Sequence, residues 1–219
     1  MTNSGVSNER KIVGVGAGGH CRVLLDLCRH LGGYDVIALT DHDESMWGQI
    51  WDGVEIVGSD EKLSGLFSDG VTNAFIGVGS IGDHRLRKKL FHSLHNLGFA
   101  LPALVHPSVI LASEVEIARG VQVMAGVVIN SNVKISCNTI VNTRAVVEHD
   151  CVILSHAHIS PGAVLGGGVK VGEGAHVGIG AVVREGVQIG DGAMVAAGAV
   201  VVNDVASQSL VMGIPAKAK

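Results

Sequence analysis

Residues 164–199 read VLGGGV, KVGEGA, HVGIGA, VVREGV, QIGDGA, MVAAGA: six blocks of six in which the second residue is aliphatic, the fifth is Gly and the sixth is Val or Ala. Residues six apart are rotated by about 240° around an α-helix and build no stripe on it. A parallel β-helix accommodates the period, with three short strands in a coil of about 18 residues, aliphatic residues stacked inside and the fifth position at a corner. Gly, Asn and Asp best tolerate a left-handed backbone at such a corner. The same phase runs back to Leu104 through LVHPSV, ILASEV, EIARGV, QVMAGV, VINSNV, KISCNT, IVNTRA, VVEHDC, VILSHA and HISPGA, and forward through VVVNDV to Val205. One β-helix is therefore expected over 104–219.

Upstream the texture changes. KIVGVGAGGHCRVLLDLCRHLG, residues 11–32, gives a strand over Ile12 to Val15, a glycine turn, and apolar Val23, Leu24, Leu27 and Leu31 at helical spacing, closed by Gly32-Gly33. YDVIALTD supplies a second strand ending at Asp41, and NAFIGVGSIGDHRLRKKLFHSLHNLG a third strand, a second glycine turn and a basic amphipathic helix. Alternating units of this kind form a parallel α/β sheet. Residues 1–103 are thus expected to be a small Rossmann-like domain, followed by the β-helix.

Composition narrows the partners. Sixteen Lys and Arg against 20 Asp and Glu give a formal charge of −4 with no basic block, which does not suit a protein that tracks a phosphate backbone. Nucleic acid is not an expected partner. Mean hydropathy is +0.41, yet Gly or a charged residue interrupts every apolar run short of the ~18 residues a membrane helix needs. No membrane insertion is expected. Cys21, Cys28, Cys137 and Cys151 form no CxxC pair, and residues 1–10 are polar with no charged tip leading an apolar run. A reduced, cytoplasmic protein is expected.

Two places carry chemistry. Gly16, Gly18 and Gly19 follow the first strand and open the first helix, where backbone N–H groups and the helix dipole favour a phosphate. Asp41 closes the next strand, where doubly wound domains place a ribose-binding carboxylate. About 90 residues supply only half of a two-lobed dinucleotide fold, so a nucleotide-sugar fits better than NAD. His20, at the helix start, is either a substrate contact or a solvated cap.

The second place is the cluster His149, Asp150, His156 and His158. Histidine suits proton transfer because its ordinary pKa lies near working pH. His149 falls two residues beyond the inward Val147, close to a corner, where a side chain projects from the coil. Asp150 beside it can orient the ring and stabilise the imidazolium. His158 is half a coil further on and need not sit beside His149 within one subunit. His156 occupies a fifth position and is read as a solvated corner residue. Arg144, also at a corner, carries backbone strain or reaches a substrate charge. Gly167, one coil beyond His149, offers an N–H unshielded by a side chain as an oxyanion donor, or else widens the coil.

GAGGHCRV, IGVGSIGDHRLRKKL, NTRAVVEHDC and the terminal GIPAK together resemble the hexapeptide-repeat sugar acetyltransferases: the group of sialic acid O-acetyltransferase, UDP-4-amino-sugar N-acetyltransferase and GDP-perosamine N-acetyltransferase. The resemblance spans residues 11–217. It implies a left-handed β-helix, a homotrimer with active sites between subunits, acetyl-CoA as acetyl donor and no metal. It implies that Gly16, Gly18, Gly19, His20 and the turn through Gly79 and Ile81 hold the nucleotide and pyrophosphate. His149 then becomes the general base, Asp150 its orienting partner, and Gly167 the oxyanion donor. Asn142 lies near the acceptor, His158 is the second active-site histidine, and Ile179, Ala197 and the run Gly213, Pro215 and Lys217 line the pantetheine and adenine groove. Cys21, Arg22 and His84 depart from the common family pattern, and His84 leaves the base of the nucleotide open.

Three rival readings stand beside this one. A metal site drawn from His149, Asp150, Cys151, His156 and His158 requires Cys151 to face outward, although its sixth position faces inward. A trimeric nucleotide-sensing scaffold has no need of the EHDC chemistry. O-acetylation of a sialic acid replaces the amine by a hydroxyl; the amine is the easier nucleophile, and N-acetylation of a nucleotide-linked amino-sugar ranks first.

Overall fold

A computed structural model describes residues 10–219; the stretch 1–9, read above for the lack of a leader, lies outside the described residues. The contacts divide the chain into two compact units: the residues up to Val78 with Ser93–Leu101, and Gly79–His92 with Pro102–Lys219. Gly79–His92, which the sequence texture groups with the α/β segment, thus belongs to the β-helix unit.

In the first unit, β1 (Arg10–Val15), α1 (Gly19–Leu31), β2 (Tyr34–Thr40), the short hairpin β3 (Ile50–Trp51) and β4 (Val54–Glu55), α2 (Leu63–Ser68) and β5 (Asn73–Ile76) follow in order. The parallel sheet has the order β2-β1-β5. Its central strand buries Ile12, Val13 and Val15 in a continuous apolar run, as a parallel strand covered on both faces does. The inward face of α1 is Cys21, Leu24, Leu25, Leu27 and Cys28, while Val23, expected on it, is 46% exposed. Both cysteines act as apolar residues there and rotate the stripe away from Val23. A Cβ on Gly77 would overlap the Gly16 carbonyl and the Cys21 side chain, so the two glycine turns approach closely only with glycine at 77.

The second unit is a parallel β-helix with three faces. A valine face stacks Ile110–Leu111, Val128–Ile129, Val146–Val147, Val164–Leu165, Val182–Val183 and Val200–Val201; a charged face begins at Glu116–Ile117; a histidine face contains Ile140–Val141, His158–Ile159, His176–Val177 and Met194–Val195. The second and sixth residues of the blocks, from Val121 through Val201, form one buried column. Every fifth residue from Glu114 to Gly198 has φ between 57° and 71°, including the non-glycine Glu114, Asn132, Asn138, Arg144, Asp150 and His156. The period breaks once. Met194 pairs with Leu210 instead of Met212, and Val205 pairs with Ile189, so VVVNDV does not close as a sixth-position block. Val205 fills a strand position because the last coil is short.

α3 (Arg85–Asn96) begins in this unit and runs back along its corners. His84 lies against Gly174, Arg87 against Asn138 and Phe91 against Gly120, and at Gly174 and Gly120 a Cβ would overlap the covering ring. Lys88 pairs with Glu173. The helix is basic but not simply amphipathic, since Arg87 is buried among the coils. Burial pushes its guanidinium down to about 9.

Candidate active site

The corner joining Val146–Val147 to Val152–Ile153 puts His149 outward and turns at Asp150 in the left-handed conformation. His149 Nδ1 is 2.8 Å from Asp150 Oδ2, and the His149 side chain is 60% exposed. Asn132 Nδ2, one coil earlier, donates to Asp150 Oδ1 at 2.7 Å. A carboxylate only accepts, so the proton sits on Nδ1 and the Nε2 lone pair is left outward. The hydrogen bond to Asp150 raises the His149 pKa above the ordinary imidazole range. Those from Asn132 and then His149 hold the Asp150 carboxyl below its ordinary value.

One coil on, Gly167 forms the seat of this ring: a Cβ there would stand 2.7 Å from its Cε1 and Nε2. Gly166 N–H donates to Val183 O and Gly168 N–H to His149 O, while Gly167 N–H meets no acceptor among the described residues. Cys151 faces inward with its thiol near Gly166 O at 3.2 Å, and burial pushes its pKa up to about 11. Among the described residues no group of three or more His, Cys, Asp or Glu is arranged to hold a metal.

The opposite edge of the valine face carries a second feature, a cavity of about 360 Å³ lined by Ile81, Asn142, His158, His176, Ile179 and Ala197, among others. Its polar side is a directed chain. Thr143 N–H donates to Asn142 Oδ1 at 2.8 Å, which turns Asn142 Nδ2 toward His158 Nε2 at 3.3 Å. His158 Nδ1 then donates to Ser80 O at 3.3 Å. Both ring nitrogens of His158 are thus engaged, whereas the Nε2 of His149 is left outward. His176 lies directly across from His158 on the next coil and belongs to none of the motifs that point to chemistry in the sequence. Its one sequence signal is the coil period, since a histidine 18 residues beyond another shares its face.

In the first unit, Gly18 is the N-cap of α1 with an extended backbone and no side-chain cap, and His20 lies half-buried in the first turn. A Cβ on Gly18, Gly19 or, in the second unit, Gly79 would meet nothing within 4 Å. Folding does not require glycine at Gly18, whereas open space there leaves the helix N-terminus accessible. Asp41 is already engaged: Ala17 N–H donates to its Oδ2 at 2.6 Å and Asp43 N–H to its Oδ1 at 2.9 Å. It fixes the glycine turn. Gly213, Pro215 and Lys217 belong to a terminal hairpin in which Met212 pairs with Lys217, at the end of the histidine face. Lys217 lines a separate cavity of about 410 Å³ with Val201 and Asn203.

One corner expectation changes. His156 is not solvated; it is 5% exposed, its ring 5.7 Å from that of Phe91, and Asn138 Nδ2 lies 2.8 Å from its Nδ1. α3 covers this corner, and burial with nearby Lys88 pushes the imidazole down to about 4. Arg144 is exposed with φ of 59°, so the backbone strain is present.

Comparison with known proteins agrees with both units. The PglD N-terminal domain model matches residues 11–94, and the bacterial transferase hexapeptide (six repeats) model matches 168–203. Perosamine N-acetyltransferase from Caulobacter crescentus, crystallised as a histidine-to-asparagine variant with CoA and GDP-perosamine, is 41% identical with a TM-score of 0.90 over 95% of this chain and 96% of that one. The acetyltransferase domain of PglB from Neisseria gonorrhoeae FA1090, in complex with acetyl coenzyme A, is 34% identical with a TM-score of 0.88, covering 96% and 100%. WeeI from Acinetobacter baumannii AYE is 26% identical with a TM-score of 0.77, covering 95% and 100%. The chain belongs to the hexapeptide-repeat, left-handed β-helix sugar acetyltransferases and is an acetyltransferase. No helix among the described residues is long and apolar enough to cross a membrane.

Proposed function

We propose that this acetyltransferase moves the acetyl group of acetyl-CoA onto the amine of a nucleotide-linked amino-sugar, of the GDP-perosamine or UDP-4-amino-4,6-dideoxy type, with His149 as general base. The observation that carries the reading is the seat of His149: Nδ1 held by Asp150, Nε2 free, and the ring resting on Gly167. The amine nitrogen attacks the thioester carbon while His149 Nε2 takes its proton. Gly167 N–H donates to the oxygen that gains charge. The C–S bond then breaks, and the proton on His149 is available to the departing thiolate. Asp150 stabilises the transient imidazolium.

The active site is shared between copies in a homotrimer. In one subunit His149 and the cavity lie at opposite edges of the valine face, whose outward row is Ile110, Val128, Val146, Val164, Val182 and Val200. Six stacked aliphatic side chains suit burial against a second copy better than exposure. Such packing brings the His149 corner of one subunit toward the cavity of the next. Asn142 and His158 contact the reacting groups there, and the small residues at Gly178 and Ala196–Ala197, with Ile179 and the terminal hairpin, let the thin pantetheine arm lie along the coils. The α1 N-terminus at Gly18–Gly19 receives the pyrophosphate of the acceptor. The enzyme serves surface-glycan or glycoprotein sugar synthesis in the cytoplasm.

The test is thiol release from acetyl-CoA, measured with GDP-, UDP- and dTDP-linked amino-sugars and with free sialic acids. N-acetylation predicts turnover with one of the nucleotide-linked amines and none with sialic acid. Turnover confined to sialic acid would overturn the reading. Light scattering gives the assembly, and a 22.5 kDa species active at the same concentration would remove the shared site.

A further inference from the structure

Two buried polar atoms beside the cavity have incomplete hydrogen bonding. Ser80 Oγ and His176 Nδ1 are shielded from solvent and lack a hydrogen bond of ordinary geometry among the described residues. The His176 ring stands on that of His158, with centroids 5.0 Å apart and planes 83° to each other. Ser160 Oγ lies 3.3 Å from His176 Nε2, and the main chain of Ser80 faces the same ring, so Nδ1 is the nitrogen left for the Ser80 carbonyl. That carbonyl already accepts from His158 Nδ1 at 3.3 Å, a long bond for N–H···O. A carbonyl has two lone pairs, and here two imidazoles from neighbouring coils approach it, that of His158 at long range and that of His176 outside ordinary hydrogen-bond geometry.

Next along the chain, Ile81 lines the cavity yet is 84% exposed. Glycines flank this short stretch: Gly79 has open space around it, and Gly82 is left-handed against Met194. Orphaned buried polar groups are rare in native proteins, so a position of this loop in which they are satisfied is to be expected. Burial keeps the His176 imidazole below its ordinary pKa and hence neutral, with Nε2 accepting from Ser160 and Nδ1 able to donate.

We propose that filling the cavity draws the Ser80 carbonyl into a clamp between His158 and His176, and that His176 is thereby a positioning residue that sets Ile81 over the pantetheine arm of the acetyl donor. This rests on reading the cavity as the acetyl-CoA groove. Neither histidine reacts. Their bonds convert ligand occupancy into closure of a loop whose one large apolar side chain is otherwise exposed.

Hydrogen exchange with and without acetyl-CoA tests this in the wild type, in His176→Phe, which keeps the ring but not the donor, and in His176→Asn, whose amide nitrogen replaces Nδ1. Acetyl-CoA should slow exchange in wild-type peptides covering the corners at 160, 178 and 196 and also in 79–84. In His176→Phe the corners should stay protected while 79–84 does not respond. The KM for acetyl-CoA should rise on the order of tenfold, roughly the weight of one neutral hydrogen bond, with kcat little changed. His176→Asn should restore both. Protection of 79–84 in His176→Phe equal to the wild type, or an unchanged KM, overturns the clamp. Wild-type corners that acetyl-CoA leaves unprotected would instead overturn the reading of the cavity, and the clamp with it.

Discussion

His149 and His156 stand at consecutive corners of one coil, and their environments push them in opposite directions. His149 is largely exposed, with a carboxylate at 2.8 Å raising its pKa. His156 is buried under Phe91 and α3, with its pKa pushed down to about 4. Both corners turn through a left-handed fifth residue, Asp150 in one and His156 in the other, so that His149 stands one position ahead of its turn and His156 stands in it. The covering differs as well: the ring of His149 is 60% exposed, while Gly79–His92 lies along the corner of His156. A histidine in a β-helix is left in solvent or joins the core according to what packs on its corner.

The largest effect is expected from removing the exposed member. His149→Ala should lower kcat by about 10²–10⁴-fold, the range of a positioned general base, with both substrates still binding by calorimetry. A general base acts in its neutral form, and the hydrogen bond to Asp150 raises the His149 pKa. The wild-type kcat/KM should therefore rise with pH through an ionisation above the ordinary imidazole value. Asp150→Asn should shift that limb to lower pH and reduce kcat, whereas His156→Asn should leave the limb in place.

A smaller loss is expected from disturbing the seat and leaving the base intact. In Gly167→Ala the new Cβ would stand 2.7 Å from the His149 ring, so the imidazole must move. Displacement of a catalytic group by about 1 Å can cost on the order of 10²-fold, and kcat should fall by up to that factor. Steady-state kinetics alongside a melting curve check this, with Tm expected to change little because the ring can swing into solvent.

The β-helix was legible because its determinants are local: an aliphatic residue at the second position of each six-residue block and a left-handed fifth position repeat without reference to distant contacts. His149, Asp150 and Gly167 were legible for the same reason, since the coil period alone stacks Gly167 on His149. The cover on His156 was not, because nothing in HISPGA or VILSHA announces that Phe91 and Arg87, from a segment of α/β texture, will lie there. His176 is a first-position residue, normally solvent-facing, and only its neighbours Ser80 and His158 give it significance. Val205 kept the expected phase in sequence although the last coil is shortened, and an aliphatic residue suits a strand position as well as a corner.

The buried member of the pair should govern stability instead of rate. The unfolded chain binds a proton on residue 156 near the ordinary value of about 6.5, the folded chain only near 4. The stability held by keeping this ring neutral is therefore full above about pH 6.5 and is lost as pH falls toward 4, with no further loss below. Calorimetry across that window should show a steeper fall of Tm in the wild type than in His156→Asn. The variant keeps a residue tolerant of the left-handed turn and removes the titration, so the difference between the two curves isolates this group from the others facing it, Lys88, Glu173, His92 and His84.

The smallest effect is expected at a corner with the same backbone and an exposed arginine. Arg144 has φ of 59° with its side chain over Gly126, a conformation that costs an ordinary residue about 1–2 kcal/mol. Glycine removes that cost but adds about 0.5–1 kcal/mol of chain entropy in the unfolded state. Arg144→Gly should thus raise stability by roughly 0.5–1 kcal/mol, measurable as a higher denaturation midpoint at unchanged slope. Arg144→Asn tolerates the left-handed region without the full entropic penalty and should gain a similar amount. Unchanged kcat/KM for the acceptor in both variants would make this corner purely structural, like that of His156. A fall in acceptor kcat/KM at raised stability would mean that the guanidinium reaches a substrate charge and that the strain at residue 144 is retained for binding.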